Sequence, residues 1–313
     1  MKKRKVIDID LNNILTANAL ISKMSKAGGF TGRLVAEGVD IIEDMIRDSS
    51  CKVFLSFPAA PIATGLRGVF KELLKRKLVD AVITTCGTLD HDLARTWASY
   101  EEGDFHLDDK ILFRKGYHRL GNIIIPKEAY GPLLEKRLQP FFKDMYSKGV
   151  HEFAPYELGY YLGKYVRDES SILYWSWKNK IPVFIPGIMD GAVGSQIWLF
   201  WQQHKDFMVN IIKDEEAISK IIFDAKKSGA IMIGGGISKH HTLWWNQFRG
   251  GLNYATYITT AVEYDGSLSG AEVREAVSWG KVKPKAKQVT INGDATALFP
   301  LMIAALIERL SRK

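Results

Sequence analysis

Short apolar runs alternate with stretches of helical spacing along most of the chain. Residues 52–57 and 79–85 are apolar runs too short for a helix, and the apolar positions from 66 to 74 recur every three or four residues. Similar short runs follow at 181–186, 230–233, 254–260 and 288–291, and a last helix is expected at about 296–310. Strands that are apolar on both faces and alternate with helices are typical of parallel sheets. The pattern therefore predicts an α/β fold with a mostly parallel sheet flanked by helices on both faces.

Polar and glycine residues collect just after these predicted strands. They are Asp90 and His91, Asp190, the glycines at 234–236 with His240, residues 260–267, and Asp294. Ligands of parallel α/β sheets bind at the carboxyl ends of the strands. We therefore expect these segments to meet along one crevice.

The chain shows no linker, repeat or low-complexity tract that would divide it. We expect a single domain over residues 1–313, with a short N-terminal extension over about residues 1–30. No apolar run is long enough to span a membrane, and no apolar signal core follows the basic residues 1–5. Two cysteines are too few for a disulfide scaffold or a thiolate zinc site. A cytoplasmic protein without a membrane partner is expected.

The net charge of +8 raises the question of a nucleic-acid partner. The densest basic cluster, over residues 281–287, has no interleaved aromatic residues on which bases could stack. We therefore expect a solvated basic face and no nucleic-acid partner. His240 and His241 are adjacent and lack an acidic third ligand at helical spacing, so no metal site is expected.

One segment carries candidate covalent chemistry: Glu275-Ala276-Val277-Ser278-Trp279-Gly280-Lys281. A lysine amine is a nucleophile once it loses its proton, and an indole face attracts an ammonium group. A strand-end lysine that reaches solvent is the simpler alternative for this segment alone. His240 could serve as a general base because an imidazole titrates near neutrality.

Three segments in order resemble the deoxyhypusine synthase family. They are Gly234-Gly-Gly-x-x-Lys-His-His241, Asp265-Gly-Ser-x-Ser-Gly270 and Glu275-Ala-Val-Ser-Trp-Gly-Lys281, and the resemblance runs from about Thr31 to the C-terminus. The resemblance implies a Rossmann-like NAD-binding fold and a homotetramer. It also implies that the aminobutyl group of spermidine passes as an imine through an active-site lysine to one lysine of the translation factor 5A precursor.

By motif position, the resemblance makes Lys281 the covalent carrier and gives proton transfer to His240. The polyamine would contact Asp90, His91, Gly266, Ser267, Glu275 and Trp279. NAD would contact Ala59, Ala60, Pro61, Ile62, Ala63, Thr85, Cys86, Gly87, Asp190, Gly235, Thr260, Ala261, Asp294 and Ala295.

Three positions depart from many relatives, which carry acids where this chain has His91, Ser195 and Leu268. Asp90, Asp92, Glu263, Asp265 and Glu275 are acids that could compensate, so the sequence leaves open which of them hold the amine. Two alternatives remain at this point. One is a homospermidine synthase-like transfer to putrescine, which needs the same lysine, and the other is a non-catalytic NAD-binding regulatory subunit.

Overall fold

The computed structural model describes residues 5–12 and 14–311. Within these bounds the helices are α1 (Ala17–Ala27), α2 (Phe30–Arg47), α3 (Arg67–Lys75), α4 (Cys86–Trp97), α5 (Asp109–Arg114), α6 (Gly131–Ser147), α7 (Pro155–Val166), α8 (Ile172–Asn179), α9 (Ala192–Trp201), α10 (Ile211–Asp224), α11 (Gly236–Gln247) and α12 (Ala295–Ser311). The strands are β1 (Cys51–Ser56), β2 (Ala81–Ile83), β3 (Glu101–Glu102), β4 (Tyr117–Leu120), β5 (Ile123–Pro126), β6 (Glu152–Phe153), β7 (Val183–Phe184), β8 (Met208–Val209), β9 (Lys227–Ile233), β10 (Leu252–Thr259) and β11 (Val282–Asn292). Short 3₁₀ helices cover Ala60–Ala63, Lys127–Ala129, Glu263–Asp265 and Val273–Val277.

The chain divides into two compact units, and the first comprises residues 1–57 and 219–313. Its strands follow the order β11-β10-β9-β1, and all three neighbouring pairs are parallel. Helices cover both faces, as two adjacent residues of β9 show. Ser228 hydrogen-bonds Asn246 of α11 at 2.6 Å, whereas a Cβ on Gly229 would touch Met45 of α2. Since successive strand residues point to opposite faces, α2 and α11 lie on opposite sides of the sheet.

The second unit comprises residues 58–218. It contains the parallel pair β2 and β7, a parallel pair β6 and β8, and a small antiparallel sheet in the order β3-β5-β4. The residues of β2 and β7 are fully buried, and α7 packs against β7. A buried carboxylate joins two parts of this unit: Asp92 accepts from Arg67 Nε at 2.7 Å and from the first amides of α8.

The predicted fold class is confirmed: this is an α/β protein with mostly parallel strands flanked by helices. Residues 1–4 of the predicted N-terminal extension lie outside the described residues, as does residue 13, and the rest of the extension contains α1. That the chain forms a single domain stays a prediction.

Candidate functional site

A pocket of about 300 Å³ lies in the first unit, beside α11. Its lining comes from α11 and from the segment between β10 and β11: Lys239, His240, Leu243, Trp244, Leu268, Ala271, Glu272, Glu275, Ala276, Trp279 and Lys281. The predicted residues Lys281, His240, Glu275 and Trp279 are thus brought together. The volume is at the lower end of the range for small-molecule sites.

Lys281 is held by its backbone on both sides. Its amide donates to the Ala276 carbonyl at 3.0 Å, and its carbonyl accepts from the Leu252 amide at 3.0 Å. Gly251 makes this approach possible, because a Cβ there would lie 2.9 Å from the Lys281 carbonyl carbon, and its φ is +91°. Lys281 therefore projects from a fixed point at the start of β11.

The amine of Lys281 lies over two indole rings. Its Nζ is 5.1 Å from the ring centroid of Trp279 and 5.4 Å from that of Trp244. Both rings are partly open to solvent, at 67% and 44% exposure. Aromatic faces at this range attract ammonium groups, so the pocket suits a cationic amine.

His240 lies one helical turn before Trp244 on α11, and its ring stacks on that indole at 5.6 Å. Partial burial and then the charge of Lys281 lower the pKa of His240 from its usual value. The imidazole is therefore neutral at physiological pH and able to accept a proton beside Lys281.

Lys239 fixes the loop that closes one end of the pocket. Its side chain is 1% exposed, and its Nζ donates to the Leu268 carbonyl at 2.8 Å and the Ala271 carbonyl at 2.6 Å. Burial lowers its pKa to about 8. Tyr257 supports the same loop, since its ring lies 3.8 Å below the Lys239 amine and its hydroxyl donates to the Ser269 carbonyl.

Gly266 and Ser267 lie on the exposed part of this loop and do not line the pocket, whereas Leu268 does. The Ser267 amide donates to the Asp265 carboxylate at 2.6 Å, which closes a turn. The polyamine contacts of Gly266 and Ser267 stay predictions.

Asp90 and His91, predicted to contact the polyamine, lie on α4 in the second unit. The Asp90 carboxylate is buried and accepts from the amides of Ala192 and Val193, both at 2.8 Å, and from the Tyr130 hydroxyl at 2.9 Å. It therefore caps the start of α9. His91 Nδ1 lies 2.9 Å from the Tyr100 hydroxyl.

Burial, helped by the charge of Arg95, lowers the pKa of His91 to about 4, so that its ring is neutral at physiological pH. The contacts of Asp90 and His91 in this structure are structural, and their roles toward a polyamine stay predictions.

The predicted NAD residues fall into two groups. In the second unit, residues 59–63 include a 3₁₀ helix, Thr85, Cys86 and Gly87 form the start of α4, and Asp190 is an exposed turn residue before α9. In the first unit, Gly235 precedes α11, Thr260 and Ala261 follow β10, and Asp294 caps α12 through the Thr296 amide. These contacts with NAD stay predictions.

Gly235 also has a packing reason to be glycine. A Cβ at this position would lie 2.0 Å from Ser269 Oγ, in the loop held by Lys239. The sequence motif around it therefore joins α11 to the wall of the pocket, whatever else it binds.

Sequence reasoning missed several pocket residues: Lys239, Leu243, Trp244, Ala271, Glu272 and Ala276. Trp244 had a detectable signal, because it follows His240 by four residues on a predicted helix. Lys239 had none, since a buried lysine looks like any surface lysine in a sequence.

Across residues 5–12 and 14–311, no group of three or more His, Cys, Asp or Glu side chains is arranged to hold a metal ion. In the same part of the chain, no helix combines the length and apolarity needed to cross a membrane.

The fold and pocket define a parallel α/β protein with a lysine set among aromatic rings, and comparisons with known proteins narrow this class. The family model for deoxyhypusine synthase matches residues 19–306. A Picrophilus torridus protein named "Probable deoxyhypusine synthase" is 53% identical over 306 residues, which cover 98% of each chain. A Thermoplasma acidophilum protein of the same name is 51% identical, with 97% of each chain covered. The chain belongs to the deoxyhypusine synthase family, which is a family of transferase enzymes.

Solved structures agree on the fold. A crystal structure from Entamoeba histolytica, described as a candidate deoxyhypusine synthase, has a TM-score of 0.66 at 20% identity and covers 97% of both chains. AgrE, crystallised with ornithine and NAD+, has a TM-score of 0.52 at 13% identity, covering 90% of this chain and 34% of its own.

Proposed function

We propose that this chain is an NAD-dependent aminobutyltransferase, a deoxyhypusine synthase. It would move the aminobutyl group of spermidine through an imine on Lys281 to one lysine of the translation factor 5A precursor. The observation that carries this proposal is the Lys281 amine over two indole rings in a pocket that also holds a neutral imidazole.

The residues of the pocket divide the work between binding and proton transfer. Trp279 and Trp244 hold the cationic donor against the lysine by their ring faces. His240 takes a proton from the Lys281 ammonium, and the free amine then attacks the oxidised carbon of the donor. The remaining part of the donor leaves as an amine, and the acceptor lysine later displaces Lys281 from the same carbon.

Each of two helix starts suits a phosphate group. Helix α4 follows β2 in the second unit and α11 follows β9 in the first, and the N-cap residues Thr85 and Gly235 make no side-chain cap. Free amides at a helix start favour a pyrophosphate. The residues expected to hold NAD are Thr85 to Gly87 at α4 and Gly235 at α11, and bound NAD would accept a hydride from the donor carbon and return it to the product.

Borohydride trapping tests the role of Lys281. With labelled spermidine and NAD, the wild-type chain should become labelled after reduction, because borohydride converts the lysine imine into a stable amine. Lys281→Ala should lose the label but still bind NAD, and Lys281→Arg should be as inactive because a guanidinium stays charged. Lys285→Ala removes an exposed lysine of the same strand and should trap normally. Label retained in Lys281→Ala would place the nucleophile elsewhere.

A two-acceptor assay tests the proposed substrate. Purified chain receives labelled spermidine, NAD and either the translation factor 5A precursor or putrescine. We expect label in the protein acceptor. Label found only in homospermidine would establish the putrescine reaction. If the wild-type chain, which carries Lys281, transfers label to neither acceptor, the result would support a non-catalytic regulatory subunit.

The assembly and compartment are part of the same proposal. We propose a homotetramer in the cytoplasm, without nucleic-acid or membrane partners, and family membership and the scattered basic charge support this proposal. The two cysteines, Cys51 and Cys86, are both buried thiols, which suits a reducing compartment.

A further inference from the structure

Two glutamates from one short segment line the pocket, Glu272 and Glu275. Glu272 precedes the 3₁₀ helix Val273–Val277, and Glu275 lies inside it, with its amide 3.2 Å from the Glu272 carbonyl. Both residues line the pocket that Lys281 also lines.

The charged groups of the pocket have other direct partners, although the Lys239 amine also feels the charge of Glu275. The Lys239 amine is bonded to two carbonyls of the loop. Lys281 and His240 lie with the indole rings, and the rest of the lining is apolar. A donor that places one amine beside Lys281 can therefore place a second amine beside Glu272 and Glu275.

Glu272 already holds a cation. Its carboxylate contacts Nε of Arg274, whose side chain is 75% exposed and reaches Glu263 only at 3.9 Å. The Glu272 side chain itself is 28% exposed. Exposed ion pairs are weak, so an amine in the pocket can displace this guanidinium.

We propose that Glu272 binds a second ammonium group of the amine donor, and that Arg274 occupies this carboxylate when the donor is absent. Glu272 is thereby a specificity-determining residue, which selects donors with two or more separated amines. The inference rests on the proposed aminobutyl transfer and adds the residue that recognises the far end of the donor.

Opposite effects of two substitutions test this assignment. Glu272→Gln should raise the KM for spermidine about tenfold, the effect of one lost charge-assisted hydrogen bond, with kcat little changed. Arg274→Gln should lower the KM severalfold because the carboxylate is then free. The double variant should match Glu272→Gln. Glu43→Gln is the matched control, since Glu43 is a similarly exposed glutamate that pairs with Arg47 on α2 away from the pocket, and its KM should stay within about twofold of wild type.

Donor selectivity provides the second measurement. Binding is followed by tryptophan fluorescence for spermidine and for a monoamine of similar length, using the full chain. Wild type should prefer spermidine, and Glu272→Gln should lose most of that preference. If Glu272 had only a structural role, Glu272→Gln would lower the affinity for spermidine and for the monoamine equally.

The outcomes separate this inference from the proposed function. If wild type traps no imine, the proposed function fails. If wild type traps imine but Glu272→Gln keeps its spermidine KM, or Arg274→Gln raises it, the assignment of Glu272 is wrong.

Discussion

Lys239 is a buried residue whose side-chain amine holds the backbone of the loop that closes the pocket. Its hydrogen bonds to the Leu268 and Ala271 carbonyls satisfy two acceptors that would otherwise be buried without a donor. Burial removes the ammonium group from water, and this desolvation lowers the pKa of Lys239 to about 8. A neutral amine still donates two hydrogen bonds, so the loop stays fixed when the proton leaves.

The lowered pKa predicts how stability depends on pH. Between pH 8 and the ordinary lysine pKa near 10.4, the unfolded chain retains a proton that the folded chain has lost. The free energy of unfolding contributed by Lys239 therefore rises with pH in this window, by about 1.4 kcal/mol for each pKa unit of the shift.

Urea unfolding at pH 7.5, 9 and 10 measures this effect. Lys239→Met should lack the rise, so wild type gains stability relative to the variant as pH increases. Lys285→Met removes an exposed lysine and should run parallel to wild type. Equal slopes for wild type and Lys239→Met would contradict the prediction.

At the scale of elements, the pocket depends on the close approach between the residue before β10 and the residues at the start of β11. Gly251 precedes β10, and a Cβ there would lie within 2.8–2.9 Å of backbone atoms of Gly280, Lys281 and Val282. Those atoms belong to the chain that carries the nucleophile, so they cannot move without moving Lys281.

Two neighbouring glycines isolate this effect. Gly250 also has a positive φ, +81°, but a Cβ there has no neighbour within 4 Å. Both Gly250→Ala and Gly251→Ala should lose about 1–2 kcal/mol of stability through φ alone. Only Gly251→Ala should also slow imine trapping, by tenfold or more. Equal trapping rates in the two variants would show that the close approach does not position Lys281.

The sequence pattern predicted the central elements well because their burial is nearly complete. Strands β1, β9 and β10 and helices α3 and α12 lie where apolar spacing places them. Strand β11 was predicted only at 288–291 yet begins at Val282. The first half of β11 contains three lysines and Pro284, and β11 is an edge strand of the sheet. Because one side of an edge strand faces solvent, this half contains no apolar run that would have predicted it.

The candidate site was harder to predict than the fold. The carboxyl-end rule located α11 and the 265–270 loop, but Lys281 lies before its strand, and the segment between β10 and β11 brings it to the pocket that α11 also lines. The acids are harder to assign from sequence, because a carboxylate that caps a helix, as Asp90 does for α9, looks the same in a sequence as one that binds a substrate. The β4–β5 hairpin was also missed, although Gly121-Asn122 before the apolar run 123–125 is a turn signal.

For the whole molecule, the exposure of the pocket raises the question of how an imine survives in water. The Trp279 ring is 67% exposed, and Phe248, which directly follows α11 and contacts the Trp244 ring, is 51% exposed. An enzyme that carries a hydrolysable intermediate must exclude water from it. A second copy of the chain over this face would do so, in agreement with the proposed homotetramer.

Two phenylalanines make this testable. Phe248→Asp puts a charge on the face beside the pocket, whereas Phe223→Asp puts one at a similarly exposed position at the end of α10. By light scattering, wild type and Phe223→Asp should have close to four times the 35.3 kDa mass of one chain. Phe248→Asp should dissociate, because a buried charge without a partner opposes association. It should also release oxidised donor without transferring it, since its open pocket admits water. The prediction is contradicted if the Phe248→Asp protein keeps the tetramer mass and transfers all of the donor that it oxidises. In that case, the face beside Phe248 is not covered by another copy of the chain.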